Sequence, residues 1–221
     1  LNNILTMDLH ADQITGFFHA NKVRVEHLHA SPLHIHYFKQ ILGDDATIAA
    51  PDAGAAKRAQ FFAQSLEKKM LIAYKKRSYH HKHTVDDLKI LGLPGEDEVV
   101  IVDDIVSSGG SVLKVIDKMK EKGIKKVYVA CTHALLTGDA INNFEEAYFD
   151  SENPFVKLIG TDAIPHNGDL KNKEWYEEVD TSRFIAKAIY EIHTSGSLTN
   201  LHNPYCVEEL DLWAGTENFK S

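Results

Sequence analysis

Along nearly the whole chain, short apolar runs alternate with segments whose apolar residues recur every three to four positions. The runs read as strands: Ile4 to Leu9, Thr47 to Ala50, Met70 to Tyr74, Val99 to Val102, Lys126 to Cys131 and Val156 to Thr161. The periodic segments read as helices. Ser31-Pro32 opens one that runs to Leu42 and is closed by Gly43, and Pro51-Asp52-Ala53-Gly54 turns into another from about 55 to 68. Val112 to Lys122 places Val112, Val115, Ile116 and Met119 on one stripe, Gly138 to Asn143 begins a further helix, and Ser182 to His193 is the last. This alternation predicts an α/β fold: a parallel twisted sheet with helices on both faces. The run Val99 to Val102 is apolar at every position, as expected of a parallel-sheet strand covered on both sides.

The pattern lapses between Lys75 and Glu98. Lys75-Lys76-Arg77 comes first, then His80, His81, Lys82 and His83, before Gly92, Pro94 and Gly95 punctuate the chain. A long structureless loop is the expectation, and such loops in compact domains are functional or disordered. Two readings stand side by side: a solvated charged face, or a cationic flap that neutralises charge on transferring phosphoryl oxygens and excludes water. The three histidines likewise read either as solvated loop residues or as transition-metal ligands.

Composition narrows the class. The chain has 221 residues, 43% of them hydrophobic, enough for a core of ordinary size. A net charge of −8 argues against a nucleic-acid groove, and no apolar run approaches a membrane span. Cys131 and Cys206 stand in neither metal-type nor redox-type spacing, and no signal peptide opens the sequence, so a reduced cytoplasmic setting is expected.

Candidate chemistry concentrates after the central strand, where Asp103-Asp104 is followed by Ile105-Val106-Ser107-Ser108-Gly109-Gly110-Ser111. A loop joining a strand end to a helix start offers unpaired amides and the positive end of the helix dipole to an anion. Ser107, Ser108 and Ser111 add hydroxyls, and Gly109 and Gly110 allow close backbone approach. The two carboxylates would repel that anion but accept hydrogen bonds from vicinal hydroxyls. The order acid pair, then phosphate cradle, therefore fits a phosphorylated sugar such as ribose 5-phosphate. The bland alternative is an acidic turn with Ser107 or Ser108 capping the helix. His10 and Asp52 stand at the ends of their own candidate strands, where open sheets gather ligand groups, although a lone strand-end histidine is often only structural.

Four segments together carry a family resemblance: Asp8-Leu9-His10-Ala11-Asp12-Gln13-Ile14-Thr15-Gly16-Phe17-Phe18, Ala50-Pro51-Asp52-Ala53-Gly54-Ala55-Ala56-Lys57-Arg58-Ala59, Lys75-Lys76-Arg77, and Val102-Asp103-Asp104-Ile105-Val106-Ser107-Ser108-Gly109-Gly110-Ser111. In this order and spacing they resemble ribose-phosphate pyrophosphokinase, the phosphoribosyl pyrophosphate synthetase family, from about Ile4 to His193. The resemblance implies a type I phosphoribosyltransferase-like fold and a reaction of ribose 5-phosphate with magnesium ATP that gives phosphoribosyl pyrophosphate and AMP. It implies that Asp103 and Asp104 hold the ribose hydroxyls and that Ser107 to Ser111 cradle the 5-phosphate. Asp52, Ala53 and Gly54, with Ala55, would accommodate the diphosphate, His10 and Asp52 would position Mg2+, and Lys75 and Arg77 would reach the transition state from the flap. Two departures stand out. Ser107 and Ser108 replace an acidic residue and a Thr, and Ala55 replaces a Gly, which narrows the backbone angles open to that turn.

The resemblance also implies a layout: residues 1–28 as the end of a first lobe, 29–194 as the second, ribose-phosphate-binding lobe, and 195–221 as a C-terminal tail. Nothing in the sequence matches the rest of the first lobe, so Phe17, Phe18 and Trp213 are expected to lack their usual neighbours and to promote a homo-oligomer. No nucleic-acid or membrane partner is expected. A type I phosphoribosyltransferase and a non-catalytic ribose-phosphate-binding regulator are the alternatives, and retention of Lys75 and Arg77 favours catalysis.

Overall fold

The computed structural model describes residues 3–19, 21–76, 87–95, 97–166 and 168–208, with only the backbone described at 75, 76, 87 and 169. The strands are β1 (Asn3–Met7), β2 (Arg24–Leu28), β3 (Thr47–Ala50), β4 (Lys69–Lys76), β5 (Asp87–Leu91), β6 (Glu98–Val106), β7 (Lys126–Ala134), β8 (Phe155–Thr161) and β9 (Tyr176–Val179). The helices are α1 (Ser31–Lys39), α2 (Ala56–Leu66), α3 (Gly110–Glu121), α4 (Ala140–Phe149), α5 (Gly168–Lys171) and α6 (Ser182–His193), with 3-10 turns at Asp12–Phe17 and Thr199–His202.

Seven strands form one sheet in the order β5-β4-β3-β6-β7-β8-β9, and β1 pairs with β2 in a second, parallel sheet. From β3 the chain steps outward to β4 and β5, then returns to β6 on the other side and steps outward to β9. The order therefore reverses between β3 and β6. That switch point opens a crevice at the carboxyl ends of the two strands, where doubly wound sheets take their ligands.

Strand alternation builds two cores. Val99 and Ile101 point to the face covered by α3 and α4, where Val115, Ile116, Met119 and Phe144 are buried. Val100 and Val102 point to the opposite face, against Ile35 and Phe38 of α1 and Ala59 and Phe62 of α2. The expectation of helices on both faces holds, and it explains why β6 is apolar at consecutive positions. A third, smaller core joins Leu28, Leu33, Phe184, Ala188, Leu201 and Cys206, with Leu5 and Met7 packed against it. It ties the β1–β2 sheet and the 3-10 turn Thr199–His202 to α1 and α6.

Several expected boundaries and one orientation are corrected. The segment read as structureless carries the end of β4 and all of β5, and β5 runs antiparallel, pairing Lys75 with Leu88 and Tyr74 with Lys89. An antiparallel edge strand needs no crossover helix, which is why no helical pattern separates the two. Helix α1 ends at Lys39, and Gln40, Ile41 and Leu42 continue as single turns bonded to Tyr37 and Phe38 carbonyls. The strand β6 runs on through Asp103 and Asp104 to Val106, paired along its length with β7, so the acid pair belongs to the strand end. Gly110 and Ser111 belong to the first turn of α3. The strands β2 and β9 were not anticipated.

Candidate functional site

The turn after β6 presents an open helix terminus. Gly109 precedes α3 with φ +75°, and no side chain caps the helix. The first-turn amides of Gly110, Ser111 and Val112 therefore have no carbonyl within reach inside the helix and face outward as donors. The capping role considered for Ser107 or Ser108 is not taken up: Ser107 Oγ lies 3.0 Å from Thr137 Oγ1, and the Thr137 amide donates to the Ser107 carbonyl at 3.0 Å. Gly109 is required twice over, because its φ is left-handed and an added Cβ would lie 2.7 Å from Phe144 Cε2.

At the end of β6, Asp103 Oδ1 accepts the Asp104 amide at 2.9 Å. Burial raises the Asp103 carboxyl well above the usual range, and the neighbouring Asp104 carboxylate raises it further. Burial acts in the same sense on Asp104, but the hydrogen bond from His10 and other favourable contacts override it, and its pKa is lowered. His10 Nδ1 lies 2.9 Å from Asp104 Oδ2, and that bond, with the Asp104 charge, raises the exposed imidazole's pKa. One carboxyl thus holds its proton readily while its neighbour stays ionised, an arrangement able to donate to one sugar oxygen and accept from another.

Across the switch point, the turn after β3 places Asp52 beside the cleft, with Oδ1 accepting the Ala55 amide at 3.1 Å. Ala55 has φ −78° and ψ −3°, ordinary right-handed backbone, so Ala in place of Gly introduces no strain there. Ala53 and Gly54 are exposed in the same turn. Asp52 belongs to the group of charges that act on His10, which places His10, Asp52, Asp103 and Asp104 in one electrostatic neighbourhood.

His29 and Arg58, which line the cleft, are held by a residue that carried no assigned role in the sequence. Asp8 is buried with φ +42°, and its oxygens accept from His29 Nδ1 at 2.9 Å, Arg58 Nη1 at 2.8 Å, the Ala30 amide at 2.9 Å and Thr132 Oγ1 at 2.5 Å. Burial alone would raise its pKa, and these four donors together hold it far below the usual carboxylate range. Asp8 thereby joins β1, β2, α2 and β7 at one point. Its place two residues before His10 was the only sequence signal.

An open cleft of about 960 Å3 brings His10, Asp52, Gly54, Asp103, Asp104 and Ser111 together, and Arg58, Phe61, His27, His29 and His202 also line it. Ser107, Ser108, Gly109 and Gly110 lead into Ser111 along the chain but, like Ala53, are not among the residues that line it. Lys75 lies on β4, one strand beyond the switch strand β3; its side chain, together with Arg77, His80, His81 and His83, lies outside the described residues, as does Trp213. Phe17 is 86% exposed, with Phe18 and Ile14 also exposed beside it.

An acidic doublet and an uncapped helix terminus, side by side at the switch point of a doubly wound sheet, define the type I phosphoribosyltransferase-like class of α/β proteins. Residues 78–203 match the model of the family described as the phosphoribosyl synthetase-associated domain, and the chain belongs to that family. It is similar to ribose-phosphate pyrophosphokinase 1 of Streptococcus agalactiae, 32% identical over 203 residues, covering 91% of this chain and 60% of that protein. It is also similar to ribose-phosphate pyrophosphokinase of Rhodopirellula baltica, 35% identical over 205 residues, covering 90% and 60%. Among solved structures, phosphoribosylpyrophosphate synthetase from Mycobacterium smegmatis superposes with a TM-score of 0.74 at 25% identity, over 88% of this chain and 60% of that one. The chain thus spans about 60% of the length of the curated relatives it matches.

Proposed function

We propose that this chain is the ribose-phosphate-binding part of a ribose-phosphate diphosphokinase. The anomeric hydroxyl of ribose 5-phosphate attacks the β-phosphorus of ATP, the bond from that phosphorus to the α,β-bridging oxygen breaks, and AMP leaves while the sugar carries away the diphosphoryl group. The observation that carries the reading is the junction of β6 and α3, where Asp103 and Asp104 run directly into the uncapped turn Ser107–Ser111 beside the β3 turn. The first-turn amides take the 5-phosphate, the doublet takes the 2- and 3-hydroxyls, and Asp52, Ala53 and Gly54 receive the diphosphate.

Asp52, assisted by His10 through water, would hold Mg2+, and the Asp52 carboxylate is the hard oxygen donor that this small, strongly hydrated cation prefers. When bound, it neutralises charge on the diphosphate. Lys75 and Arg77 supply further positive charge at the transition state, where phosphoryl transfer depends on positioning and electrostatics more than on covalent help. The protein is read as a cytoplasmic homo-oligomer with residues 1–28, 29–194 and 195–221 as its three parts. The exposed Phe17 and Phe18 support self-association; among the described residues no helix is long and apolar enough to cross a membrane.

Calorimetric titration tests the reading. Ribose 5-phosphate should bind, ribose should bind far more weakly, and Asp103→Asn with Asp104→Asn should weaken the sugar phosphate more than inorganic phosphate. Equal affinity for ribose and ribose 5-phosphate would sink the proposal. A type I phosphoribosyltransferase or a non-catalytic regulator would bind the sugar phosphate equally well, and AMP release from ATP and ribose 5-phosphate separates these from the diphosphokinase.

A further inference from the structure

The turn after β6 is backed by a strap distant in sequence, residues 135–138 between β7 and α4. The Leu136 amide donates to the Val106 carbonyl at 3.1 Å, and the Thr137 amide to the Ser107 carbonyl at 3.0 Å. The hydroxyls of Thr137 and Ser107 lie 3.0 Å apart. Consecutive amides of an extended chain point to opposite sides. Both strap amides reach the same turn because Leu136 has φ +46°, in the left-handed region that a non-glycine residue seldom occupies. Three anchors hold the strap itself. His166 Nε2 lies 2.6 Å from the Ala134 carbonyl, the Leu136 side chain is buried in the core that contains Phe144, and the Ala140 amide closes on the Thr137 carbonyl at 3.3 Å. Backbone held in such a conformation persists where its surroundings over-determine it, and it gathers at functional sites.

Peptide geometry converts those two backbone bonds into a direction. In a planar trans peptide, a residue's carbonyl and the following amide point opposite ways. With the Val106 and Ser107 carbonyls both held against the strap, the amides of Ser107 and Ser108 both turn away from it, and neither has an acceptor among the described residues. Successive amides on one side form a concave nest for an anion, with the carbonyl oxygens that would repel it facing away. Resting on the assignment of this turn to the 5-phosphate, we propose that Thr137 is a positioning residue for sugar-phosphate binding. With Leu136 it fixes the Ser107 and Ser108 amides as donors to the phosphate, in addition to those of Gly110, Ser111 and Val112. Its side chain also occupies the Ser107 hydroxyl, which therefore does not swing in to cap α3 in the place of the anion.

Thr137 is exposed and lies outside every strand and helix, so it can be replaced without touching the core. Thr137→Ala loses only the hydroxyl pair and should weaken ribose 5-phosphate about two- to tenfold, the loss of one hydrogen bond. Thr137→Ser should restore the parent affinity. Thr137→Pro has no amide to donate and drives Leu136 towards extended backbone, and it should weaken binding by about tenfold or more. Amide proton shifts on titration with inorganic phosphate give a signature that a merely structural role would not. In the parent and in Thr137→Ser, Ser107 and Ser108 should respond together with Gly110, Ser111 and Val112; in Thr137→Pro the last three should still respond and the first two should not. Should Thr137→Pro unfold, the Ala and Ser variants decide. Parent-like affinity in Thr137→Ala, no rescue by Ser, or silent Ser107 and Ser108 amides in the parent while the helix amides respond would each overturn the role of the strap. Equal affinity for ribose and ribose 5-phosphate would instead sink the proposed function and leave the phosphate-induced shifts standing, whereas no response anywhere in the turn would overturn both.

Discussion

Gly109→Ala strikes the anion turn through two separable effects. The left-handed φ of +75° costs an alanine about 1 kcal/mol or somewhat more. The new methyl would also meet Phe144 at 2.7 and 3.2 Å, and that ring has no room to withdraw. It is stacked on Trp175 with centroids 5.8 Å apart and leans on Phe155 at 5.3 Å. Forcing a methyl into such packing adds about 1–3 kcal/mol. The sum, about 2–4 kcal/mol, corresponds to a fall in melting temperature of about 4–16 °C for a domain of this size. Thermal denaturation followed by circular dichroism measures it, and calorimetry on the folded variant measures ribose 5-phosphate affinity, which should fall at least tenfold as the turn shifts. Phe144→Leu added to Gly109→Ala should recover the steric part alone, so the two substitutions together should be less harmful than their sum by about 1–2 kcal/mol. A melting temperature within a degree or two of the parent, with unchanged affinity, would refute this account of the turn.

Three further outcomes are expected. Asp103→Asn should stabilise the protein at pH 7–8 while weakening sugar binding: a carboxyl with a raised folded-state pKa favours folding at low pH and opposes it increasingly as pH rises from its unfolded value towards the folded one. Urea denaturation at pH 5 and pH 8 should show the advantage of the variant growing with pH, and a constant difference would contradict the origin given for the shift. Asp8→Asn tolerates the same positive φ but leaves Arg58 without its partner, and should destabilise by about 3 kcal/mol at neutral pH. Because the Asp8 pKa is lowered, the parent should hold this contribution above the ordinary carboxylate range and lose it as pH falls below, whereas the variant should be flatter in acid. Light scattering should find a species larger than a monomer at moderate concentration, and Phe17→Ser should shift the population towards monomer.

The parts of the fold that were legible in sequence are those where burial leaves a clean pattern. β3 and β6 are sandwiched between helices and read as unbroken apolar runs, and α3 shows its stripe at Val112, Val115, Ile116 and Met119. β9 was hidden because Glu177 and Glu178 interrupt its apolar character, and only the fold supplies their partners: Tyr37 and Lys157 for the first, His166 and Lys171 for the second. β2 carries Arg24, Glu26 and His27 at the rim of a two-stranded sheet, and β5 is an edge strand with Lys89 and Asp87, so neither shows the pattern of a covered strand. In the site, the doublet and the turn were readable because their chemistry is local in sequence. The Asp8 hub was not, since its partners His29, Arg58 and Thr132 lie up to 124 residues away. The bond between His10 and Asp104 spans 94 residues and was equally out of reach.

Soaking or co-crystallising the chain with ribose 5-phosphate tests the central claim most directly. Density should place the phosphate on the amides of Gly110, Ser111 and Val112, with both ribose hydroxyls on the carboxylates of Asp103 and Asp104. A sugar phosphate bound elsewhere, or one that leaves the β6–α3 turn empty at saturating concentration, would contradict the account.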